Sequence, residues 1–475
     1  MKTKKINSSG LVLMLILAVG CAPKLPYSKS ASKETPLSYS QGRDTQDVAN
    51  IKWKDYFNDP YLITLIDTAL KNNQELNMLL QEIEISRNEV RARKGEYLPS
   101  LNAVGGQGIE KAGRYTRNGA VEKNLQIKPG KEFPEPLQDH LLGVQFSWEL
   151  DVWKKLRNAK QAAVWRYLSG IEGRNFMITQ MVAEIADAYY ELIALQKQLD
   201  ILKQNIELQS SALRVIKLEK EAARVTQLAV NRFEAQLLHT ENLQFDIQQQ
   251  QVETENRINY LVGRFPQSIS VDSTGFSNKA SELIQAGIPS QLLDRRADIR
   301  QAEHLLEASK LDVQVARANF YPSFRISAGT GLQAFNPAYL FNPESIIFSL
   351  AGDMMAPLVN RNAIKATYYS ANAKQIQAAY QYERTVLNAV IEVTNQMAKM
   401  TNYDKSYQTK QREVDILTQS STISNQLFRS ARADYMEVLL TQREALEAKM
   451  ELVEIQLKQM KSRINIYRAA GGGWE

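Results

Sequence analysis

Residues 174–262 and residues 358–470 contain neither glycine nor proline, and a chain that lacks both breakers over such lengths is read as long helix. As single helices these stretches would run roughly 130 and 170 Å at 1.5 Å per residue, so each is expected to fold back on itself once. Running into the first stretch, Val164, Ile171, Ile178, Ile185, Leu192, Leu199, Ile206 and Leu213 recur every seven residues, a coiled-coil seam. The seam fails at Lys220, which predicts a turn near residues 222–227. In the second stretch Leu439, Leu446, Val453, Met460 and Tyr467 open a new seven-residue series. It starts just after Asp434 and Glu437, which are spaced as an N-cap and its capping-box partner. A helix of about 70 residues projects roughly 100 Å, so a long stalk, hollow or solid, is predicted.

The sequence also repeats itself. At an offset of 223, Leu76, Ile83, Glu84, Ser86, Val90, Pro99 and Ser100 match Ile299, Leu306, Glu307, Ser309, Val313, Pro322 and Ser323. Further on the offset is 208, where Ala223, Arg224, Leu228 and Val230 match Ala431, Arg432, Met436 and Val438. An insertion at about 110–139 accounts for the change, and two structurally similar halves follow. Each half begins with a helix, marked by Leu62, Leu65, Ile66, Ala69, Leu76, Leu79, Leu80 and Ile83 in the first and by Leu305, Leu306, Leu311 and Val315 in the second. Pro99 and Pro322 stop these helices, and the apolar period then changes to 2. Leu142, Val144, Phe146, Trp148 and Leu150 share one face of residues 141–150, and Phe324, Ile326, Ala328 and Leu332 share one face after Pro322. Residues 100–109 and 345–356 fit two further strands. Alternation of this kind suits either a sheet on a soluble core or the wall of a membrane barrel. Four strands cannot close a barrel, so a barrel would need several copies of the chain.

The first residues favour the membrane. Residues 1–20 have a basic start and an apolar run from Leu11 to Val19, as in a secretory signal peptide. Gly20 precedes Cys21, the only cysteine, so no intrachain disulfide can form and the position looks like a bacterial lipoprotein cleavage site. Cys21 is therefore the expected lipidation site, and Ala22 after it favours the outer membrane over retention at the inner one. Residues 21–50 read as a lipid anchor and tether, rich in Ser, Lys, Thr and Pro. Beyond the leader no window approaches twenty apolar residues, so any span is expected to be β. The formal charge of +6 falls to about +3 once Lys2, Lys4 and Lys5 leave with the leader, too weak a balance to suggest nucleic acid. His140, His239 and His304 have no companions at metal-ligand spacing. Arg295, Arg296, Asp298 and Glu303 lie at a helix start and read as caps and ion pairs. No catalytic, metal-binding or cofactor-binding residue is expected, and no cofactor.

Several segments together resemble the TolC-like outer-membrane efflux family, in its lipoprotein branch serving RND-type tripartite drug pumps. They are WKDYFNDPYLITLIDTAL from Trp53, FSWELDVWKKLR from Phe146, PSQLLDRRADIRQAEHLLEAS from Pro289, YPSFRISAGTG from Tyr321 and YRAAGGGW from Tyr467. Ala297 stands where the family usually has Pro, and Ala223 and Ala431 replace glycines common at the hairpin tips. The resemblance implies a mainly α fold, with long helical hairpins building an α-barrel and four strands per subunit entering a shared 12-stranded β-barrel. It divides the chain into a first structural repeat at 51–262, an equatorial connection at 263–290, a second repeat at 291–470 and a tail at 471–475. It also implies a passive channel: a homotrimer in outer-membrane lipid, joined to a periplasmic adaptor (membrane fusion) protein and an inner-membrane pump, without nucleic acid. Arg224, Thr226, Arg432, Asp434 and Tyr435 would then be adaptor-docking tip residues, and Gln419, Thr422 and Gln426 would line the periplasmic aperture. The alternatives are the outer component of type I protein secretion and a structural coiled-coil lipoprotein of the periplasm.

Overall fold

Prolines and asparagines place the first helix ends. Asp59 caps α2 (Pro60–Asn72), which follows α1 (Trp53–Phe57); its carboxylate accepts from the Tyr61 and Leu62 amides, and Pro60 sits where no amide is needed. The sequence suggested one helix from Leu62 to Ile83, but the chain breaks at Asn73 before α3 (Gln74–Tyr97). The cause is the Asn73 side chain, which accepts from the Leu76 amide at 2.9 Å and donates to the Leu261 carbonyl at 2.9 Å. A local cap plus a tertiary bond outcompetes continued helix there.

The computed structural model describes residues 22–25, 27–39, 51–272, 288–359, 361–430 and 432–474. After α3 come β1 (Ser100–Glu110), α4 (Arg117–Asn124), a small hairpin of β2 (Gln126–Lys128) and β3 (Lys131–Glu132), and β4 (Leu137–Leu150). Two long helices follow, α5 (Lys155–Glu221) and α6 (Gln227–Val262). The second half runs α7 (Gln291–Arg295), α8 (Ala297–Ala318), β5 (Ser323–Ala334), β6 (Ile346–Met355), α9 (Asn362–Arg429) and α10 (Tyr435–Ala469). The order helix, strand, strand, long helix, long helix thus occurs twice. The 67-residue α5 and 68-residue α9 each turn back once, at residues 222–226 and 430–434. Among the described residues no helix is long and apolar enough to cross a membrane.

The chain divides into two compact units, each drawing on both halves. One takes the segment up to Ser30 with Glu84–Tyr167 and His304–Ala379; it holds the four-stranded antiparallel sheet, in the order β1-β4-β5-β6. Its helical part buries Phe320 against Tyr368, ring centroids 5.6 Å apart, and Ala22 and Leu25 pack on that pair. There Asn372 donates to the Tyr27 carbonyl at 3.0 Å and Gln375 to the Lys29 carbonyl at 2.9 Å. Part of the segment expected to be a tether is thus a strap along α9. Its hold combines backbone carbonyls gripped by two amide side chains with the packing of Ala22 and Leu25, too few apolar contacts to leave a period.

The other unit takes Ala31–Ile83, Leu168–Glu303 and Tyr380 onward, and contains both helical hairpins. The seam faces inward: Ile185, Leu192, Leu199, Leu213, Leu446, Val453, Met460 and Tyr467 are all buried. The antiparallel pairing of α9 with α10 shows in Lys410–Glu451 at 2.7 Å and Ser424–Thr441 at 2.8 Å.

Candidate functional site

The sheet sorts its side chains by face. Pairing of Leu101 with Phe146, Phe146 with Ala328 and Ala328 with Leu350 puts these residues in one row of one face, and the rows of Val144 and Leu142 continue it. That face carries Leu101, Ile109, Leu142, Val144, Phe348, Leu350 and Met354, all exposed in the single chain. The opposite face is mostly small and polar, with Gly106, Gly108, Gly143, Gln145, Ser147, Ser327, Gly329 and Gly331, and its large apolar side chains are fewer, among them Leu141, Ile347 and Met355. A sheet that leaves its apolar side bare has no soluble core beneath it. The close approach of β4 and β5 depends on one glycine pair. A Cβ at Gly143 would lie 2.6 Å from the Thr330 carbonyl oxygen, and one at Gly331 would lie 2.6 Å from that of Leu142.

The ends of the four long helices meet in one apolar cluster: Leu213 and Ile216 from α5, Ala229, Val230 and Phe233 from α6, and Val438 from α10, with Phe428 of α9 packed against it. Val225 and Tyr435 add to it from the two turns, so the tips lie side by side. Both turns end the same way. The Arg224 amide donates to the Glu219 carbonyl and the Arg432 amide to the Leu427 carbonyl, each at 2.9 Å and five residues back, as in a Schellman ending. Arg224, Thr226, Arg432 and Asp434 are exposed, whereas Tyr435 is half-buried on the cluster. Asp434 does hold the N-cap position of α10, but its side chain makes no capping hydrogen bond, and neither does that of Thr226 before α6. The capping box read from Asp434 and Glu437 is therefore not formed. Ala223 has φ of 57°, the left-handed conformation that glycine would adopt without cost. Ala431 lies outside the described residues, as do Cys21 and the larger part of the 263–290 connection.

Gln419, Thr422 and Gln426 recur on one exposed face of α9. Thr422 and Gln426 line a groove of about 480 Å³ together with Leu208, Val215 and Phe428; Gln419 is not in its wall. The groove is lined by both hairpins.

Further along the same unit the Arg296 guanidinium is buried and fully engaged. It makes a bidentate bond to Asp298 at 3.0 and 2.8 Å, and reaches Glu392 at 2.9 Å and the Ala469 carbonyl at 2.8 Å. Burial alone would lower its pKa; the bonds and charge of Asp298 and Glu392 more than offset that, so it stays charged. Arg468 closes the group at 2.7 Å from Glu392. The closing glycines dock here. Gly471 and Gly473 have φ of 95° and 104°, Gly472 lies against the Tyr467 ring, and Arg300 sits 4.9 Å over the Trp474 ring. Burial pushes the Asp187 carboxyl up to about 6, against the pull of Lys461, Arg468, Asn465 and Arg257. In the sequence Asp187 is marked only as a lone acid within Ala186–Tyr190, a signal too weak to single it out.

A model of outer membrane efflux proteins matches residues 65–264 and 288–472. The chain belongs to this family. The solvent efflux pump outer membrane protein SrpC of Pseudomonas putida is 26% identical, covering 99% of either chain. CusC of the Escherichia coli cation efflux system is 25% identical, covering 96% of each. Among solved structures, CusC aligns with a TM-score of 0.82 at 23% identity, over 95% of this chain and 99% of that one. The MtrE outer membrane channel of Neisseria gonorrhoeae, in its open state, gives 0.83 at 20% identity over 96% and 99%. As an outer membrane efflux protein, the chain is a channel subunit of the outer membrane with its helical tunnel in the periplasm. Efflux channels are not enzymes, and among the described residues no group of His, Cys, Asp and Glu could hold a metal ion.

Proposed function

We propose that three copies of this chain close a 12-stranded barrel and serve as the passive outer-membrane exit of a tripartite pump that exports drugs and other small toxic molecules. The observation that carries the assembly is the sheet. Its outer strands β1 and β6 each have one unpaired edge, and an open edge in lipid leaves backbone groups unsatisfied at several kcal/mol each. Pairing β6 of one copy with β1 of the next removes every edge, places the apolar face in lipid and turns the glycine- and serine-rich face to the pore. Acyl chains on Cys21, palmitate among them, would anchor each subunit. The exposed tips at Arg224, Thr226, Arg432 and Asp434, with Tyr435 beside them, would meet a periplasmic adaptor bound to an RND-type inner-membrane pump, and Gln419, Thr422 and Gln426 would line the aperture. The names of relatives such as the solvent pump component SrpC support small-molecule cargo. The test is twofold. The detergent-purified protein should have the mass of a folded trimer, and a strain lacking it should become susceptible to solvents or antibiotics. A folded monomer, or unchanged susceptibility, would overturn the proposal.

A further inference from the structure

The end of the sheet away from the helices carries a folded basic loop. Residues 111–136, between β1 and β4, hold Lys111, Arg114, Arg117, Lys123, Lys128 and Lys131 against Glu122, Glu132 and Glu135, a net of +3. The loop is pinned at several points. Thr116 Oγ1 donates to the Gly113 carbonyl at 2.7 Å and accepts from the Gly119 amide at 3.3 Å, which starts α4. Lys131 Nζ donates to the Tyr339 hydroxyl at 2.9 Å, and the Phe133 and Phe335 ring centroids lie 6.1 Å apart, so the loop is fastened to the β5–β6 connection. Lys111 and Arg114 share the Glu135 carboxylate at 3.0 and 3.1 Å, and that trio keeps one positive charge over. Arg117 and Lys123, in the first and last turns of α4, are exposed and make no ion pair among the described residues. Between and beside them Tyr115, Val121 and Leu125 expose apolar side chains.

Cations interleaved with exposed apolar side chains suit a membrane interface with negative headgroups. The loop stands at that height. Ile109 is exposed on the apolar face near the end of β1, and Lys111 follows two residues on, at most about 7 Å further out. The helices run into the periplasm, so this end of the sheet faces the outer surface. The lipid of that surface is a glycolipid whose sugar phosphates lie just above its acyl chains. We infer that the β1–β4 loop binds these lipopolysaccharide phosphates, with Arg117 and Lys123 of α4 as the principal contacts. A guanidinium matches a phosphate with two parallel hydrogen bonds, and an ammonium adds a compact charge. Because the loop is already folded, binding orders few groups. The inference rests on the proposal that the apolar face of the sheet meets lipid, and not on the trimer or on the cargo.

The experiment titrates the full-length, detergent-purified protein with fluorescent deep-rough lipopolysaccharide, and with the same lipid after enzymatic removal of its phosphates. The phosphorylated lipid should bind and the dephosphorylated one should bind several-fold more weakly. A surface cation near anionic headgroups contributes about 5-fold, so Arg117→Gln with Lys123→Gln should weaken binding of the phosphorylated lipid by on the order of 10-fold or more. Neither side chain holds an ion pair within the loop, so the fold survives the change. Lys203→Gln with Arg232→Gln, two exposed cations on the long helices α5 and α6, should leave the affinity as in wild type. Equal affinity for the two lipids, no binding by the wild type, or equal affinity of the α4 variant and wild type would overturn the inference. So would an equal loss in both double variants. The underlying orientation is tested separately in membranes. Ser327→Cys should react with a water-soluble thiol reagent and Ala328→Cys should not; the reverse pattern sinks the orientation itself.

Discussion

Ala223 holds the left-handed turn position between α5 and α6, a conformation that costs a residue with a Cβ roughly 1–2 kcal/mol. The hydrogen bonds from Ala223 to the Lys220 carbonyl and from Arg224 to the Glu219 carbonyl fix the turn, so the strain has no local escape. Ala223→Gly is expected to stabilise the tip by about 1 kcal/mol, and hydrogen exchange at Arg224 should slow by about 5-fold; unchanged or faster exchange would refute this. Asp187 shows the other kind of residue-level strain, a carboxylate held where burial opposes its charge. Its folded pKa of about 6 lies above the ordinary carboxylate value, so the folded state binds more protons than the unfolded one between these two pKa values. Stability from this residue therefore rises as pH falls from about 7 to 4, by on the order of 2–3 kcal/mol. Asp187→Asn, a neutral stand-in for the protonated form, should raise the thermal midpoint at pH 7.5 and flatten that rise. A variant less stable than wild type at pH 7.5 would mean that the attraction of Lys461, Arg468 and Arg257 outweighs the burial penalty.

At the level of elements, the close cross-strand approach at Gly143 and Gly331 is what the β4–β5 pair can least afford to lose. The atoms that a Cβ at Gly331 would strike, the Leu142 carbonyl oxygen at 2.6 Å and the Gly143 Cα at 2.8 Å, are backbone and cannot swing away. Gly331→Val should therefore cost on the order of 1–3 kcal/mol and prevent the proposed trimer from assembling, as read by the mass of the detergent-purified protein. Gly106→Ala, with nothing within 4 Å, should leave it in place. Equal behaviour of the two variants would show that the contact is not limiting. The strands themselves were legible, because alternation survives in any single strand: 323–334 and 137–150 contain the segments read from Phe324 and Leu142. The glycine contact was not legible, because it depends on register between residues far apart in sequence. The break at Asn73 was hidden for the same reason, since a bond to Leu261 helps to make it. The failed capping box shows the converse. Asp434 has the right spacing and the right cap position, but the chain ends α9 with a Schellman bond at Arg432, and spacing alone does not aim a side chain.

For the molecule as a whole, the long glycine- and proline-free stretches, the internal repeat and the terminal YRAAGGGW segment carried most of the fold. The repeat mattered most, because it located both hairpin turns at equivalent Ala-Arg pairs. Candidate docking residues are less legible, since an exposed arginine in a turn carries no periodic signal and the proposed partner is another protein. Their burial decides which of these candidates can be replaced without harm to the tip. Tyr435 packs on the shared apolar cluster, so replacing it would disturb the tip itself. Arg224 and Arg432 are exposed, and the bonds that hold them in the turns are made by their backbone amides, which survive a change of side chain. Reversing both, Arg224→Glu with Arg432→Glu, should leave the cluster, the hairpins and the trimer intact. In an assembled trimer it would change the tip ring by twelve charge units, and charge at a docking rim governs encounter and register with a partner. Adaptor crosslinking should fall several-fold, drug susceptibility should rise, and the crosslinking deficit should widen at low salt, where screening is weaker. The control reverses Lys111 and Arg114, whose partner Glu135 lies 3.0 and 3.1 Å away in the long β1–β4 loop. That change breaks two surface ion pairs, yet should affect neither docking nor resistance. Normal crosslinking and normal resistance in the tip variant, at unchanged trimer level, would show that the two arginines do not mediate docking.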